Sequence, residues 1–386
     1  MHSRTRLVTA GALAAASFGI LATPAFAQGR DDHHGPAQHA VFVPTNEAAG
    51  NHIVAYDRGG DGSLTLATSY ATGGQGGVLG GAAVDKLASQ GALTYDSVHH
   101  LLYAVNAGSN TISVLRADGA RLSLRQVVNS GGTFPVSVTA FGNLVYVLDA
   151  RSGGAIQGFR LDDGRLHAIP GSNRSLGLAV VTGSTEFLNT PGQVSFTPDG
   201  AKLVVTTKAN GSHIDIFDVG HDGRVSASFV ANASTSPVPF GVAFDAAGHL
   251  AVAQAGGSTV ATYVINADDT ITPIVTVSDG QAALCWIAAT DGSFYVANAG
   301  GNGTGTNGSI SGYHVDASGQ LSVFTTSFTD KGSTDLVVSP DGAFLYADTG
   351  ASGIVDGFAI NTDGTLNQLT RVVVPGGADL EGIVAT

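Results

Sequence analysis

The sequence predicts an all-β fold, a seven-bladed β-propeller with four antiparallel strands in each blade. Three observations lead to this prediction. A turn motif recurs seven times, a second turn lies about 20 residues upstream in most repeats, and a spare strand at the C-terminal end matches a strand missing from the first repeat. Helical periodicity is nearly absent, and only residues 82–89 have a pattern that predicts one or two helical turns.

The N-terminal residues predict a targeting segment rather than part of the fold. Arg4 and Arg6 precede an apolar run over residues 7–21, which is too short to span a bilayer comfortably. Residues 25–27 read Ala-Phe-Ala, the small-x-small pattern of a cleavage site. We therefore expect a signal peptide over residues 1–27, a disordered His-rich tail over residues 28–39 and a single propeller domain over residues 40–386. The protein is then secreted or periplasmic.

Composition excludes several classes of partner. The chain has 17 Lys and Arg against 30 Asp and Glu, a net charge of -13, and its positive residues are not clustered. Nucleic acids and anionic membranes are bound by basic surfaces, so we expect neither as a partner once the signal peptide is removed. The single Cys allows no internal disulfide and no thiolate metal cluster. We expect no metal, no cofactor and a monomer.

The recurring turn has the form Asp-Gly-x-(Leu/Val), or a close variant, and follows an alternating apolar run each time. Asp-Gly between two alternating runs is a strong hairpin signal, because glycine tolerates the positive φ that the turn requires. The seven turns are Asp61-Gly62, Asp118-Gly119, Asp163-Gly164, Asp222-Gly223, Asp269-Thr270, Ser318-Gly319 and Asp363-Gly364.

The second turn divides each repeat into four strands, which we name A to D. It is clearest at Asp199-Gly200, Ala247-Gly248, Asp291-Gly292 and Asp341-Gly342, with looser forms near Asp96 and Gly142. The first repeat starts at Val41 and lacks strand A, whereas residues 381–386 resemble a lone strand A. A closed ring explains both the missing and the spare strand A, and it removes exposed sheet edges. An open β-solenoid or two β-sandwiches would not require a spare strand at one end to replace a missing strand at the other.

Strand order separates two faces of the ring. The A–B and C–D turns, on the bottom face, are short and stereotyped, whereas the B–C and D–A loops, on the top face, vary as binding loops do. Three top loops are long: residues 73–90, 171–190 and 299–309. The first two are D–A connections, and we expect them to cover the mouth of the central channel as lids.

Every strand B ends in a polar residue. The seven positions are Thr45, Asn106, Asp149, Thr207, Gln254, Asn298 and Thr349. Such a ring suits a ligand or ordered water, although the same residue types also cap strand ends through local bonds to the backbone. Asn106, Gln254 and Asn298 are therefore candidate ligand-binding residues, together with Gln193 and Glu186 from the loop before the fourth repeat.

Charged side chains are scarce near the top loops, which makes the few present candidates for catalysis. Asp149 and Arg151 lie in one B–C loop and Lys208 in the next, while Asp335 and Glu381 precede strands A. A carboxylate near a cation can act as an acid or base, and Lys or Arg can hold a lactone or carboxylate oxygen. Alternatively, the cations are solvated and the acids accept bonds from backbone amides.

Two segments carry a family resemblance. Residues 196–205 (Phe-Thr-Pro-Asp-Gly-Ala-Lys-Leu-Val-Val) and residues 339–346 (Ser-Pro-Asp-Gly-Ala-Phe-Leu-Tyr), with the Asp-Gly-Thr-Leu turn, resemble the lactonase-type seven-bladed propellers. This family includes 6-phosphogluconolactonase and carboxymuconate-lactonising enzymes, and the resemblance covers about residues 40–386. Where the family has a His-Pro-His stretch, residues 189–193 read Asn-Thr-Pro-Gly-Gln, with the Pro kept and both His absent.

Two functions follow, and the sequence leaves open whether the protein is an enzyme. The resemblance implies an exported hydrolase or isomerase acting on a lactone or related ester, with Lys or Arg polarising the carbonyl and Asp or Glu activating water. The alternative is a non-catalytic propeller that binds a small molecule, glycan or protein through its top loops. The absence of the two His favours binding, and fold alone does not decide between them.

Overall fold

The computed structural model describes residues 39–301, 303 and 307–386. The predicted signal peptide and almost all of the predicted tail lie outside these residues. The strands, in chain order, are β1 (His39–Pro44), β2 (His52–Arg58), β3 (Leu64–Ala71), β4 (Leu93–Asp96), β5 (Leu101–Asn106), β6 (Thr111–Asp118), β7 (Arg121–Asn129), β8 (Pro135–Phe141), β9 (Leu144–Asp149), β10 (Ala155–Asp162), β11 (Arg165–Ala168), β12 (Arg174–Ser175), β13 (Val194–Phe196), β14 (Lys202–Thr206), β15 (His213–Asp218), β16 (Val230–Ala233), β17 (Pro239–Phe244), β18 (Leu250–Gln254), β19 (Thr259–Ile265), β20 (Ile271–Ser278), β21 (Ala282–Thr290), β22 (Ser293–Gly301), β23 (Ser309–Val315), β24 (Leu321–Phe328), β25 (Ser333–Val338), β26 (Phe344–Thr349), β27 (Ile354–Ile360), β28 (Leu366–Val373) and β29 (Val384–Ala385).

These strands form the seven blades of the predicted propeller. From strand A to strand D, the blades are β29-β1-β2-β3, β4-β5-β6-β7, β8-β9-β10-β11, β13-β14-β15-β16, β17-β18-β19-β20, β21-β22-β23-β24 and β25-β26-β27-β28. The third blade also carries β12, which pairs with β10. The fold class is confirmed, including antiparallel pairing of all four strands within each blade.

The ring closes as predicted, because the C-terminal strand completes the first blade. Val41 pairs with Ala385 and Phe42 with Val384. Thr386 N donates to the carbonyl of Ala40 at 2.9 Å. The innermost strands contact their neighbours around the ring, and β29 touches both β25 and β4.

Burial explains the apolar patterns. Inner strands such as β5 are buried along their whole length, whereas outer strands such as β7 are mostly exposed. An inner strand is packed between two neighbouring blades, so both of its faces are covered and it reads as a continuous apolar run. Outer strands have water beside them and are more polar.

The Asp-Gly turns also join blades to one another. Tyr346 of the seventh blade donates its hydroxyl to the carbonyl of Gly62 in the first blade at 2.8 Å. Tyr146 and Tyr295 make the equivalent bonds to Gly223 and Gly364 of the following blades. Gly62 has φ +82°, and a Cβ there would lie 2.4 Å from the Phe344 ring. Glycine is thus required both by the turn and by the close approach of the next blade.

The turn of the fifth blade was predicted at Asp269-Thr270, but the two residues equivalent to Asp-Gly lie one position earlier, at Asp268 and Asp269. Asp268 accepts bonds from the backbone and hydroxyl of Thr270, as Asp61 does from Ser63. Asp269 therefore stands where the first blade has Gly62, and it adopts φ +67°. Aspartate is among the few non-glycine residues that tolerate this conformation.

Helix is limited to single 3-10 turns in the described part of the chain, at Ala107–Ser109, Glu186–Leu188 and Gly377–Asp379. The helical turns expected over residues 82–89 are not formed. Among the residues that the structure describes, no helix is long and apolar enough to cross a membrane.

Candidate functional site

Residues 81–90, which we call the plug, enter the central channel. Ser89 Oγ donates to the carbonyl of Val136 in the third blade at 2.8 Å, and Gln90 N donates to the carbonyl of Gly192 before the fourth. In the sixth blade, Trp286 Nε1 donates to the carbonyl of Ser89 at 2.9 Å. These partners lie on or beside innermost strands, so this end of the predicted lid fills the channel rather than covering its mouth.

The backbone of the plug explains why no helix forms there. Several of its amides and carbonyls are bonded to surrounding blades rather than to one another in a helical pattern, and Ala88 adopts φ +49°. Leu87 N donates to Glu381 Oε1 at 3.1 Å, and the amide of Lys86 donates to the same oxygen. Tertiary contacts therefore outweigh the weak local helix preference.

Three predicted catalytic residues, Lys208, Asp335 and Glu381, are gathered around the plug. All three are buried, and Asp85 of the plug and the buried Asp348 complete the cluster. Burial, and then the charge of Asp348, raise the pKa of Asp335. Burial, followed by the charge of Asp85, raises the pKa of Glu381. Crowded buried carboxyls favour their neutral forms, because charge is poorly solvated there.

Lys208 has no proton left for a ligand. Its Nζ donates to the carbonyls of Ala88 at 2.5 Å and Phe187 at 2.6 Å, and to Thr190 Oγ1 at 3.0 Å. An ammonium group has three donors, and all three are used. Burial lowers the Lys208 pKa. In this arrangement, Lys208 ties the plug to the connection between the third and fourth blades.

The other two charged candidates meet in a different place. Arg151 Nε donates to Glu186 Oε1 at 2.7 Å, and Nη2 donates to Oε2 at 3.2 Å. The guanidinium lies over the Phe134 ring at 4.1 Å, and Gly80 N donates to Glu186 Oε2 at 2.6 Å. The hydrogen bonds from Arg151 hold the pKa of Glu186 below its usual value. Glu186 is thus a fixed carboxylate beside a fixed cation.

This pair borders a cavity of about 640 Å³, which we call the arginine cavity. It lies between the B–C loop of the third blade and the connection to the fourth. Its polar lining residues are Thr133, Arg151, Ser152, Thr182, Glu186, Asn189 and Thr190. Among the described residues, none accepts a hydrogen bond from Arg151 Nη1. The cavity therefore offers one arginine donor beside an ionised carboxylate.

The remaining predicted site residues are engaged within the protein. Asn106 bonds to Asn51, Thr72 and Ser113, and Gln254 donates to Ser234 and Tyr263. These bonds join neighbouring chain segments, as expected for strand-end capping. The arginine cavity and the plug cluster contain neither residue, and their binding role stays a prediction.

Three further candidates also lie outside the arginine cavity. Gln193 Oε1 accepts from the backbone of Val242 at 2.6 Å, and Asn298 donates to Ser309 and Ser311. Asp149 accepts from Ser130 Oγ at 2.6 Å, and burial raises its pKa to about 6. A metal site does not emerge either, since no three His, Cys, Asp or Glu side chains are suitably grouped in the described part of the chain.

Structural comparison identifies the fold. A crystal structure of a protein from Lactobacillus plantarum matches with a TM-score of 0.70 and 18% identity over 90% of this chain and 99% of that one. A periplasmic gluconolactonase from Pseudomonas aeruginosa matches with a TM-score of 0.68 and 19% identity over 89% and 98%. The chain has the fold of the lactonase-type propellers.

Sequence comparison adds no assignment. No protein-family model matches the sequence. No curated protein matches it either. At 18–19% identity, the structural relatives establish the fold alone, so function is argued from the site.

Sequence reasoning missed two members of the plug cluster, Asp85 and Asp348. Asp85 lies in a long loop whose path the sequence does not give, and no local pattern marks it. Asp348 stands one position before Thr349, the polar residue that ends its strand B. Its place beside this residue was the one sequence feature that could have marked it.

Proposed function

We propose that this protein is a lactonase-like propeller that opens a small lactone in the arginine cavity. One observation supports this most directly: Arg151, whose Nη1 has no hydrogen-bond partner among the described residues, stands beside the Glu186 carboxylate in a cavity of about 640 Å³. The fold shared with a periplasmic gluconolactonase is consistent with the proposal. Ser152, Thr182 and Asn189 line the same cavity and suit a hydroxylated, sugar-like ring.

Hydrolysis at this site needs two contributions from the protein. Arg151 Nη1 donates to the lactone carbonyl oxygen, where negative charge develops as water attacks the carbonyl carbon. Glu186 accepts a proton from that water. When the tetrahedral intermediate collapses, the ring C–O bond breaks, and Glu186 returns the proton to the leaving ring oxygen. The product is an open hydroxy acid.

The test is acid release from D-glucono-1,5-lactone and γ-butyrolactone, measured by pH-stat titration above the uncatalysed rate. We expect Arg151→Met to lower kcat/KM by about 10²-fold or more, as for removal of an oxyanion donor. Glu186→Gln should lower it by about 10²-fold or more, in the range of general-base loss. Melting temperatures of the variants separate lost chemistry from lost folding.

Arg371→Met is the matched control. Arg371 also pairs with a carboxylate, Asp330, but on an outer strand away from the arginine cavity. Its turnover should equal that of the unaltered protein. Unchanged acid release in Arg151→Met would show that the reaction does not take place in the arginine cavity. No acid release from any lactone would show that the protein is not a lactonase.

A second candidate, non-catalytic binding of a sugar-like molecule, is favoured by one feature. Hydrogen bonds from Arg151 lower the Glu186 pKa, which makes the carboxylate a weaker base. Binding without turnover would raise the melting temperature in the presence of gluconate or glucose, with no acid released from the lactone. Arg151→Met should abolish that shift.

Export is also part of the proposal, and it rests on the sequence of residues 1–27. In an expressing bacterium, the protein outside the cytoplasm should begin at Gln28 by N-terminal sequencing. Recovery of the uncleaved chain from the cytoplasm alone would argue against export.

A further inference from the structure

A second cavity, of about 240 Å³, lies next to the plug. We call it the tryptophan cavity, because Trp286 forms one wall with Phe240, their rings edge to face at a centroid distance of 5.3 Å. Val84, Phe187 and Val238 are among its other apolar lining residues. The rim includes Ala83 and Leu188, which are exposed, so the cavity opens to solvent.

The polar groups that border this cavity are already used. Lys208 Nζ has its three hydrogen bonds, to Ala88, Phe187 and Thr190. Asp85 Oδ1 accepts from Ala88 N at 2.5 Å. The Cys285 thiol has its pKa raised by burial, so it is held in the uncharged form. A charged ligand would therefore lose its hydration here without gaining a partner.

Water is poorly suited to the same space. Water that enters from the rim finds few free hydrogen-bond partners on these walls, and replacing poorly ordered water by an apolar group favours binding. A cavity of roughly 150 Å³ lined by aliphatic and aromatic side chains holds a benzene molecule. At about 240 Å³, the tryptophan cavity has room for a six-membered ring with a short substituent.

We propose that the tryptophan cavity binds a compact, uncharged, apolar molecule of the size of a substituted six-membered ring. This site is distinct from the arginine cavity, because the two share no lining residue. The 3-10 helix Glu186–Leu188 separates them: Glu186 lines the arginine cavity, and Phe187 and Leu188 line the other.

Trp286 provides the measurement, since it is the only Trp in the chain. Bromobenzene is the probe, because its heavy atom quenches indole fluorescence on contact. We expect quenching of Trp286 that saturates with probe concentration. Ala299→Leu and Ala255→Leu place larger side chains in the cavity and should abolish saturation, and each checks the other if one fails to fold.

Two controls make the result specific. Ala246→Leu adds the same side chain at an exposed position outside the cavity and should leave quenching unchanged. Arg371→Met, on an outer strand, should also leave it unchanged. The quenching assay measures no turnover, so failure of the lactonase proposal would not affect this one. 4-Bromobenzoate should bind at least about tenfold more weakly than bromobenzene, because its carboxylate finds no partner.

Three outcomes would overturn the inference. Quenching that rises linearly without saturation would mean collision only. Equal saturation in folded Ala299→Leu and Ala255→Leu would place the probe elsewhere. Equal affinity for 4-bromobenzoate would show that the site accepts anions, contrary to the proposed class of ligand.

Discussion

Asp215 is a buried carboxyl group on β15 that lacks a counter-charge. Its Oδ1 has no hydrogen-bond partner among the described residues, and burial raises the Asp215 pKa to about 7. The folded protein therefore holds a proton that the unfolded chain releases near pH 4. The stability that depends on this proton is present at low pH and is lost as pH rises toward 7.

We predict that Asp215→Asn makes stability less dependent on pH. Between pH 5 and pH 8, the unaltered protein should lose about 3 kcal/mol more of its free energy of unfolding than the variant, at about 1.4 kcal/mol per pKa unit. Urea denaturation at both pH values measures this difference. Identical pH dependence in the two proteins would mean that Asp215 does not titrate in this range.

Lys208 shows how much of the candidate site could be predicted from single residues in the sequence. Scarcity of charge picked out Lys208, Asp335 and Glu381, and the fold brings all three together. Their partners could not be predicted, because Ala88 and Phe187 come from long connections whose course the local sequence does not specify. Arg151 and Glu186 were both candidates, but their pairing across 35 residues was not foreseen.

At the scale of elements, the plug is held by a glutamine side chain that makes the two hydrogen bonds a neighbouring strand would make. Gln90 Nε2 donates to the carbonyl of Ile287 at 2.7 Å and its Oε1 accepts from the amide of the same residue at 3.0 Å. Gln126 makes the same two bonds with Leu166 between outer strands. Water can replace the glutamine at the outer edge more easily than beside a filled channel.

This pair of glutamines gives a matched test of the plug. Gln90→Ala should lower the free energy of unfolding by about 2–4 kcal/mol, because two backbone groups lose their partner inside the ring. Gln126→Ala should lower it by about 1 kcal/mol or less. Urea titration measures both losses. Equal losses would mean that water reaches the backbone of Ile287 as easily as it reaches that of Leu166 at the outer edge.

The regular elements were predictable because each carries its own signal. Alternating apolar runs and Asp-Gly turns recur in every blade, so the local sequence is consistent with the global fold. The plug lacks such a signal: its predicted helical turns are absent, since contacts to other blades determine its path. The bonds from Tyr146, Tyr295 and Tyr346 to neighbouring turns were also not foreseen, as they join distant repeats.

At the scale of the whole molecule, counting strands was enough to predict closure of the ring. The missing strand A of the first repeat and the spare one at residues 381–386 pair in the structure. Thr386 extends this junction through its backbone to Ala40 and through its hydroxyl, which accepts from Ala40 N at 3.0 Å. The junction therefore depends on very few residues.

Removing residues 384–386 should open the ring. We expect a loss of about 2–4 kcal/mol in the free energy of unfolding, from several backbone bonds at roughly 1 kcal/mol each, and more aggregation through the exposed edge of β1. Thr386→Val keeps the backbone pairing and should cost less than half as much. A truncated protein with the same urea midpoint as the full chain would show that the ring does not need this strand.

The plug has a consequence for the order in which the molecule can form. Leu87 N bonds to Glu381 Oε1 across 294 residues of chain, and Trp286 reaches Ser89 across 197. Contacts so distant in sequence form slowly, because a long loop must close first. Residues 81–90 are synthesised well before Glu381, the carboxyl group that anchors them. The centre of the propeller therefore cannot be completed until the blades that carry Trp286 and Glu381 are in place.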